Sequence, residues 1–264
     1  MDAVTQADRG DLNISSFGRA RTTLMRALVL RSMENTGEAV TMARRAAAEF
    51  LQYGDIPKYF SARMSEAIVL YDSSQYRQAA DVYVDLTSLH PHIPLHMIAQ
   101  ALHNEGLCRR ETGEFNRAET CFVNAIALCD RLQLTSLRAK AHWHLARLLM
   151  RQAKYAAALQ ILNPLRVEFE ELGMSHDLAC ASIDTAESLL AIGRADQVAD
   201  LCRGAIEYFR MAGLAYSTGA MTALAYLHEG AVSGRLTTRD VADVRTFLER
   251  LPQKPNVVFA RAFS

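Results

Sequence analysis

The densest gathering of side chains able to do chemistry is the run "LHPHIPLH", in which His90, His92 and His96 surround Pro91 and Pro94. Imidazoles this close could serve a divalent metal, but a metal centre needs three or four ligands that converge and are held by further acceptors. His96 and His103 lie on one helix face about 10 Å apart by helical rise, and no cysteine or HExxH glutamate joins them. His142 and His144 bracket Trp143, the only tryptophan. Residues two apart on a helix point in nearly opposite directions and cannot share an ion. "LHPHIPLH" therefore reads as a helix end, a short linker and a new helix. Pro94 falls near the first turn of that helix, where a missing N–H costs nothing. No metal or other cofactor is expected.

Other chemistry is equally thinly supported. No GxSxG, P-loop, GxGxxG or HExxH string occurs, and no Ser, His and acid arrangement stands out, so the expectation is a protein that is not an enzyme. The 29 basic and 29 acidic residues cancel, which leaves no global footprint for nucleic acid or an anionic membrane. Cys108, Cys121, Cys129, Cys180 and Cys202 are odd in number and form no CxxC pair, which predicts reduced, buried thiols rather than a disulfide framework. The start, "MDAVTQADRGDLN", lacks the basic and apolar segments of a secretory signal, and no window resembles a membrane span. A cytoplasmic protein is expected.

The elements that must carry these residues emerge from an internal repeat. A glycine or small residue, then an aromatic or alanine two places on, then a small residue three further, recurs along the chain. Gly113, Phe115 and Ala118 make one copy, followed by Phe122 and Ala125. Others begin at Ser74 (Tyr76, Ala79), Ala153 (Tyr155, Ala158) and Gly193 (Ala195, Val198), with weaker copies at Gly37 and Gly234. Between these points apolar residues follow helical spacing, as in Leu145, Leu148 and Leu149 before one and Leu159, Leu162 and Leu165 after it. Each unit is therefore expected to be a helix, a tight turn at residues 37, 74, 113, 153, 193 or 234, and a second helix. Small residues such as Gly106, Ala146 and Ala186 let the two approach.

This spacing resembles the tetratricopeptide repeat. Leu102, Gly106, Gly113, Phe115, Ala118, Phe122 and Ala125 all fall on the consensus pattern of that family. The period near 40 departs from the usual 34 and is similar to the long repeats of bacterial regulatory and signalling proteins. The resemblance implies an all-α, right-handed superhelical solenoid of about six antiparallel helix pairs. Its expected limits are a flexible leader at 1–17, a single array at 18–251 and a tail at 252–264. Thr237 and Asp240 stand at capping-box spacing at the start of the last helix. Val257, Val258, Phe259 and Phe263 of the tail are expected to pack back over the last unit.

Such arrays bind partners on the concave surface lined by the first helix of each pair. Mapped onto this chain, that surface includes Tyr71; Gln100, His103 and Arg110; Lys140, Trp143, Arg147 and Arg151; and Glu187. Its basic middle with one aromatic would suit an acidic or C-terminal peptide segment, with Trp143 as packing anchor and Arg147 as fork donor. The carboxylate clamp known in some members is incomplete here. Asn104 and Lys140 match, but His144 replaces an Arg, and Met64 and Ile68 replace a Lys and an Asn. The function expected is a protein–protein interaction module with a peptide or protein partner and no nucleic acid or membrane. The alternative is a sensor or regulatory module answering to a small effector or an activating protein. On either reading Arg110, Lys140, Arg147 and Arg151 could instead pair with nearby glutamates such as Glu105, Glu111 or Glu187.

Overall fold

The structure, a computed structural model, describes residues 16–89, 91–212, 217–251 and 258–259. Among these residues there are twelve helices and no strand: α1 (Ser16–Ser32), α2 (Thr36–Gln52), α3 (Ile56–Asp72), α4 (Tyr76–Thr87), α5 (Leu95–Glu111), α6 (Phe115–Leu132), α7 (Thr135–Arg151), α8 (Tyr155–Glu171), α9 (Ser175–Ala191), α10 (Asp196–Ala212), α11 (Ser217–Val232) and α12 (Thr238–Arg250). They fall into two compact units, divided at Leu137 and Arg138. α1 to α6 build the first and essentially all of α7 to α12 the second. No helix is long and apolar enough to cross a membrane among the described residues.

The 40-residue period has a simple physical origin. α7 and α8 are 17 residues each, about 25 Å long by helical rise, and each is followed by a three-residue reversal. Within every pair the reversal is closed in the same way. The residue after the first helix's last turn adopts positive φ, and the next N–H donates back to the carbonyl five residues earlier, the Schellman arrangement that satisfies orphan carbonyls. These bonds run from Asn35, Gln75, Glu114, Lys154, Arg194 and Arg235 to Leu30, Leu70, Arg109, Leu149, Leu189 and Gly230, at 2.8–3.0 Å. The positive-φ positions are Glu34, Ser74, Gly113, Ala153, Gly193 and Gly234, spaced 40, 39, 40, 40 and 41 apart. Gly37, expected to be the first turn, instead lies in the first turn of α2, and Glu34 takes its place at φ 60°. A glycine motif is blind to this substitution because three of the six reversals use a residue with a Cβ, at some cost in backbone strain.

The cores follow from helical stripes. On α6, Ala118, Cys121, Phe122, Ala125 and Cys129 recur at spacings of three and four and are all buried. Gly106 on α5 exists to receive α6, since a Cβ there would stand 2.7 Å from Cε1 of the buried Phe122 ring. Ala146, Ala186, Ala118 and Ala158 are fully buried, as the repeat requires. All five cysteines are free and buried. Burial pushes the thiols of Cys108, Cys121 and Cys202 up to about 12, which leaves them as inert small apolar groups.

One local expectation is met in full and a second at Phe259 alone. Thr237 and Asp240 form a reciprocal capping box, the Asp240 N–H donating to Thr237 Oγ1 at 3.2 Å and the Thr237 N–H to Asp240 Oδ2 at 2.9 Å. Phe259 packs against the rings of Tyr226 and Phe247, with centroids 5.4 and 5.1 Å apart. Val258 is exposed, and Val257 and Phe263 lie outside the described residues, as do 1–15 of the leader. Pro94 sits immediately before α5 as its N-cap, and Ile93 beside it is buried, so "LHPHIPLH" is the seam between α4 and α5. His90 lies outside the described residues, and His92 and His96 are exposed.

Candidate functional site

The second unit holds a charge cluster built around one buried carboxylate, Asp184. α9 is buried nearly all round, which is the behaviour of a helix packed on several sides. Its hydroxyls are satisfied locally: Ser182, Thr185 and Ser188 each donate to the carbonyl four residues back at 2.8 Å. Asp184, 1% exposed, cannot satisfy itself and gathers partners from two other helices. Trp143 on α7 donates its indole N–H to Asp184 Oδ2 at 2.7 Å. Arg245 on α12 meets Oδ1 at 2.9 Å, and Arg147 on α7 approaches Oδ2 at 3.7 Å. The two arginines are engaged further, Arg147 with Glu249 at 2.9 Å and Arg245 with Glu187. The Arg147 guanidinium also stands 5.5 Å from the Trp143 ring centroid, within cation–π range.

Charge exchange of this kind fixes α12 onto the first-helix face of the second unit, where α9 packs against it. Burial opposes the charge of both arginines. The opposing carboxylates, Asp184 with Glu249 for Arg147 and Asp184 with Glu187 for Arg245, outweigh it and hold both above the ordinary guanidinium value. Beyond this clasp, Lys140 lies 3.8 Å from Asp177, and His176 Nε2 is 3.6 Å from Cys180 Sγ. Burial lowers the His176 pKa below 6.5 and raises that of Asp177 above 3.8. A neutral imidazole in the fold contributes stability that is full above pH 6.5 and is lost as the pH falls through its depressed folded value; Asp177 acts in the opposite sense. The melting temperature should therefore drop on acidification below pH 6.5. His176→Gln should flatten that part of the pH dependence, and an unchanged profile would show that His176 does not titrate in this range.

Of the nine residues expected on the binding surface, the structure exposes only some. Gln100 and Arg151 are exposed, and Tyr71, Lys140, Arg147 and Glu187 are partly so. Trp143, His103 and Arg110 are buried. Trp143 is thus not an open anchor, because Asp184 takes its indole N–H and Phe169 packs on its ring, and Arg147 is not a waiting fork donor, because Asp184 and Glu249 of α12 already engage it. His103 stacks edge-on against Phe122 at 6.1 Å with Nδ1 3.0 Å from Asn104 Oδ1, so it belongs to the core of the first unit. Arg110 pairs with Glu111 at 2.9 Å under Tyr71, whose own ring meets Tyr76 edge-to-face at 5.2 Å. Asp184, Arg245 and Glu249 were not among the expected residues. The signal for Asp184 was a lone carboxylate inside the largely apolar run "LACASIDTA". The charges of α12 carry no such signal.

Described residues include no group of three or more His, Cys, Asp or Glu side chains placed to hold a metal ion. What the fold defines is a tetratricopeptide-like helical-repeat protein. A family model described as cohesin loading factor matches residues 98–240, just over half of the chain, and the chain belongs to that family. No curated protein sequence matches it. Among solved structures it is similar to aspartyl phosphate phosphatase F from Bacillus subtilis, at 13% identity and a TM-score of 0.71 over 100% of this chain and 78% of that one. It is also similar to a signal-transduction ATPase with a tetratricopeptide-repeat sensor from Pyrococcus horikoshii, at 12% identity and TM-score 0.71 over 95% of this chain but only 38% of that one. A third is the Rap conjugation gene regulator of plasmid pLS20 in complex with a Phr peptide, at 13% identity and TM-score 0.64 over 93% and 68% of the two chains.

Proposed function

We propose that this chain is a non-enzymatic protein-interaction module that takes a peptide segment or partner domain on the first-helix faces of its repeats. The observation that carries the reading is the distribution of accessible polar and aromatic groups. Tyr71 and Gln100 in the first unit, and Lys140 and Arg151 in the second, all lie on first helices and all reach solvent. In the second unit an acidic partner segment would find two cations suited to orientation by charge, and in the first unit Tyr71 offers an amphipathic ring suited to retention by packing. The proteins it is similar to support a protein partner: the family is described by the loading of cohesin, and the plasmid regulator was solved with a peptide. Lys140→Glu combined with Arg151→Glu should weaken capture of the partner about tenfold without lowering the melting temperature. Unchanged capture would remove these helices from the interface.

A second reading, that of a regulatory module, is favoured by the clasp. α12 holds Arg147 and Asp184 through side chains that an incoming ligand could replace, Glu249 by another carboxylate and Arg245 by another cation. An effector or activating protein that competes for these groups would release α12 and open Arg147 to the partner, coupling its binding to that of the partner.

A further inference from the structure

We propose that the outward face of α1 is a second docking surface, one that takes an acidic amphipathic helix of a partner protein. Met25, Leu28, Val29 and Met33 follow helical spacing along this face. They are 57%, 38%, 40% and 53% exposed, an apolar stripe that runs along α1 and ends at Met33 in the turn after it.

Register within the repeat shows what such a face is built to receive. Counted from the positive-φ residue of each pair, Val29 corresponds to Val69 on α3, Cys108 on α5, Leu148 on α7 and Ser188 on α9. Those four are 3%, 0%, 0% and 0% exposed. α3 packs against α2, α5 against α4 and α9 against α8, whereas α1 packs on α2 and makes only slight contact with α3. The same backbone position is therefore covered on α3, α5 and α9, each beside the second helix that packs on it, whereas its counterpart on α11, the charged Glu229, is exposed; where the residue is small or apolar, the form of the cover is a helix laid alongside.

Charge states the chemistry of that helix. α1 carries Arg19, Arg21, Arg26 and Arg31 and no acidic residue. Arg26 and Arg31 are held by Glu38 at 3.1 Å and Asp72 at 2.6 Å. Arg19 and Arg21 are exposed, and Arg21 lies one turn before Met25 on the stripe's own side. A helix with aliphatic residues at i, i+3, i+4 and i+7 and glutamates on its flanks matches both the stripe and the charge. Pairing of α1 with its copy in a second chain would instead bring together two helices that have no carboxylate. The methionines at both ends of the stripe adapt readily to an incoming surface.

Two synthetic peptides of about 18 residues, long enough to form helix against a surface, test the proposal by fluorescence anisotropy on the full chain. Both carry the same leucine stripe, one flanked by glutamates and the other by lysines. The glutamate peptide should bind about tenfold more tightly than the lysine peptide. Leu28→Glu with Val29→Glu should weaken the glutamate peptide at least tenfold and leave the melting temperature of the chain unchanged. Equal affinities, or no binding of either peptide, would overturn the proposal. So would binding that survives the α1 variant but is lost with Lys140→Glu and Arg151→Glu, which would assign the peptide to the first-helix faces instead. Self-association of the chain that the α1 variant abolishes would also overturn it, making a second copy the occupant.

Discussion

Gly106→Ala is expected to destabilise the protein by about 1–2 kcal/mol, although helix propensity alone favours alanine over glycine by about 1 kcal/mol. The reversal of sign comes from contact. The new Cβ would meet Phe122 at 2.7 Å from Cε1, 2.9 Å from Cδ1 and 3.0 Å from Cζ. That ring is fully buried, so it has no solvent side to move toward. Gly106→Leu should cost about 3 kcal/mol or more, because a close-packed core cannot yield the volume of an added side chain. Phe122→Leu alone should also destabilise, by opening a cavity, but combined with Gly106→Ala the losses should be smaller than their sum. Urea melts of the four species check this. Additive losses would mean that α5 and α6 do not meet at Gly106.

Asp184→Ala should cost about 3–5 kcal/mol, the range for removing one partner from a buried charge network. The substitution leaves the Trp143 indole N–H without its acceptor and both Arg147 and Arg245 without their shared carboxylate. Arg245→Ala should cost less, since Asp184 keeps Trp143 and Arg147. It should nonetheless raise amide hydrogen exchange across α12, whose grip on α9 runs through Arg245. Glu249→Ala, at the more exposed end of the clasp, should fall within about 1 kcal/mol of the wild type. A gradation in this order supports a clasp centred on Asp184. Equal small losses for all three would show that α12 is held by its apolar face, Val241, Val244 and Leu248, and that the charges are incidental.

The fold was legible because its determinants are local and repeated. A small residue at Gly106, an aromatic at Phe122 and alanines at 118 and 158 recur at fixed offsets, and a helix pair is the one structure that uses them all. The misplacement of the first turn at Gly37 has the same origin. Reversals were sought as glycine or another small residue, which found Ser74 and Ala153, while the Schellman bond at Glu34 is made by backbone atoms that any residue supplies. The binding surface was less legible, since a repeat template assigns faces by position and cannot say what else packs there. Trp143 and Arg147 fall on template positions, yet their surroundings are set from further along the chain, Trp143 by Asp184 on α9 and Arg147 by Glu249 on α12. His103 likewise stands at a surface position of the template and is buried instead against the Phe122 ring. Charged residues on a capping helix give no local sign of whether they meet water or an opposing charge.

The central claim is that partners are taken on first helices. It is tested most directly by photo-crosslinking in the cell that makes the protein, with a photoreactive side chain placed at one exposed position at a time. Gln100 on α5 and Arg151 on α7 report the first helices, and Val123 on α6 and Val167 on α8 report the second helices. Covalent protein adducts from Gln100 and Arg151, with none from Val123 or Val167, are the predicted result. Adducts confined to Val123 and Val167 would contradict it.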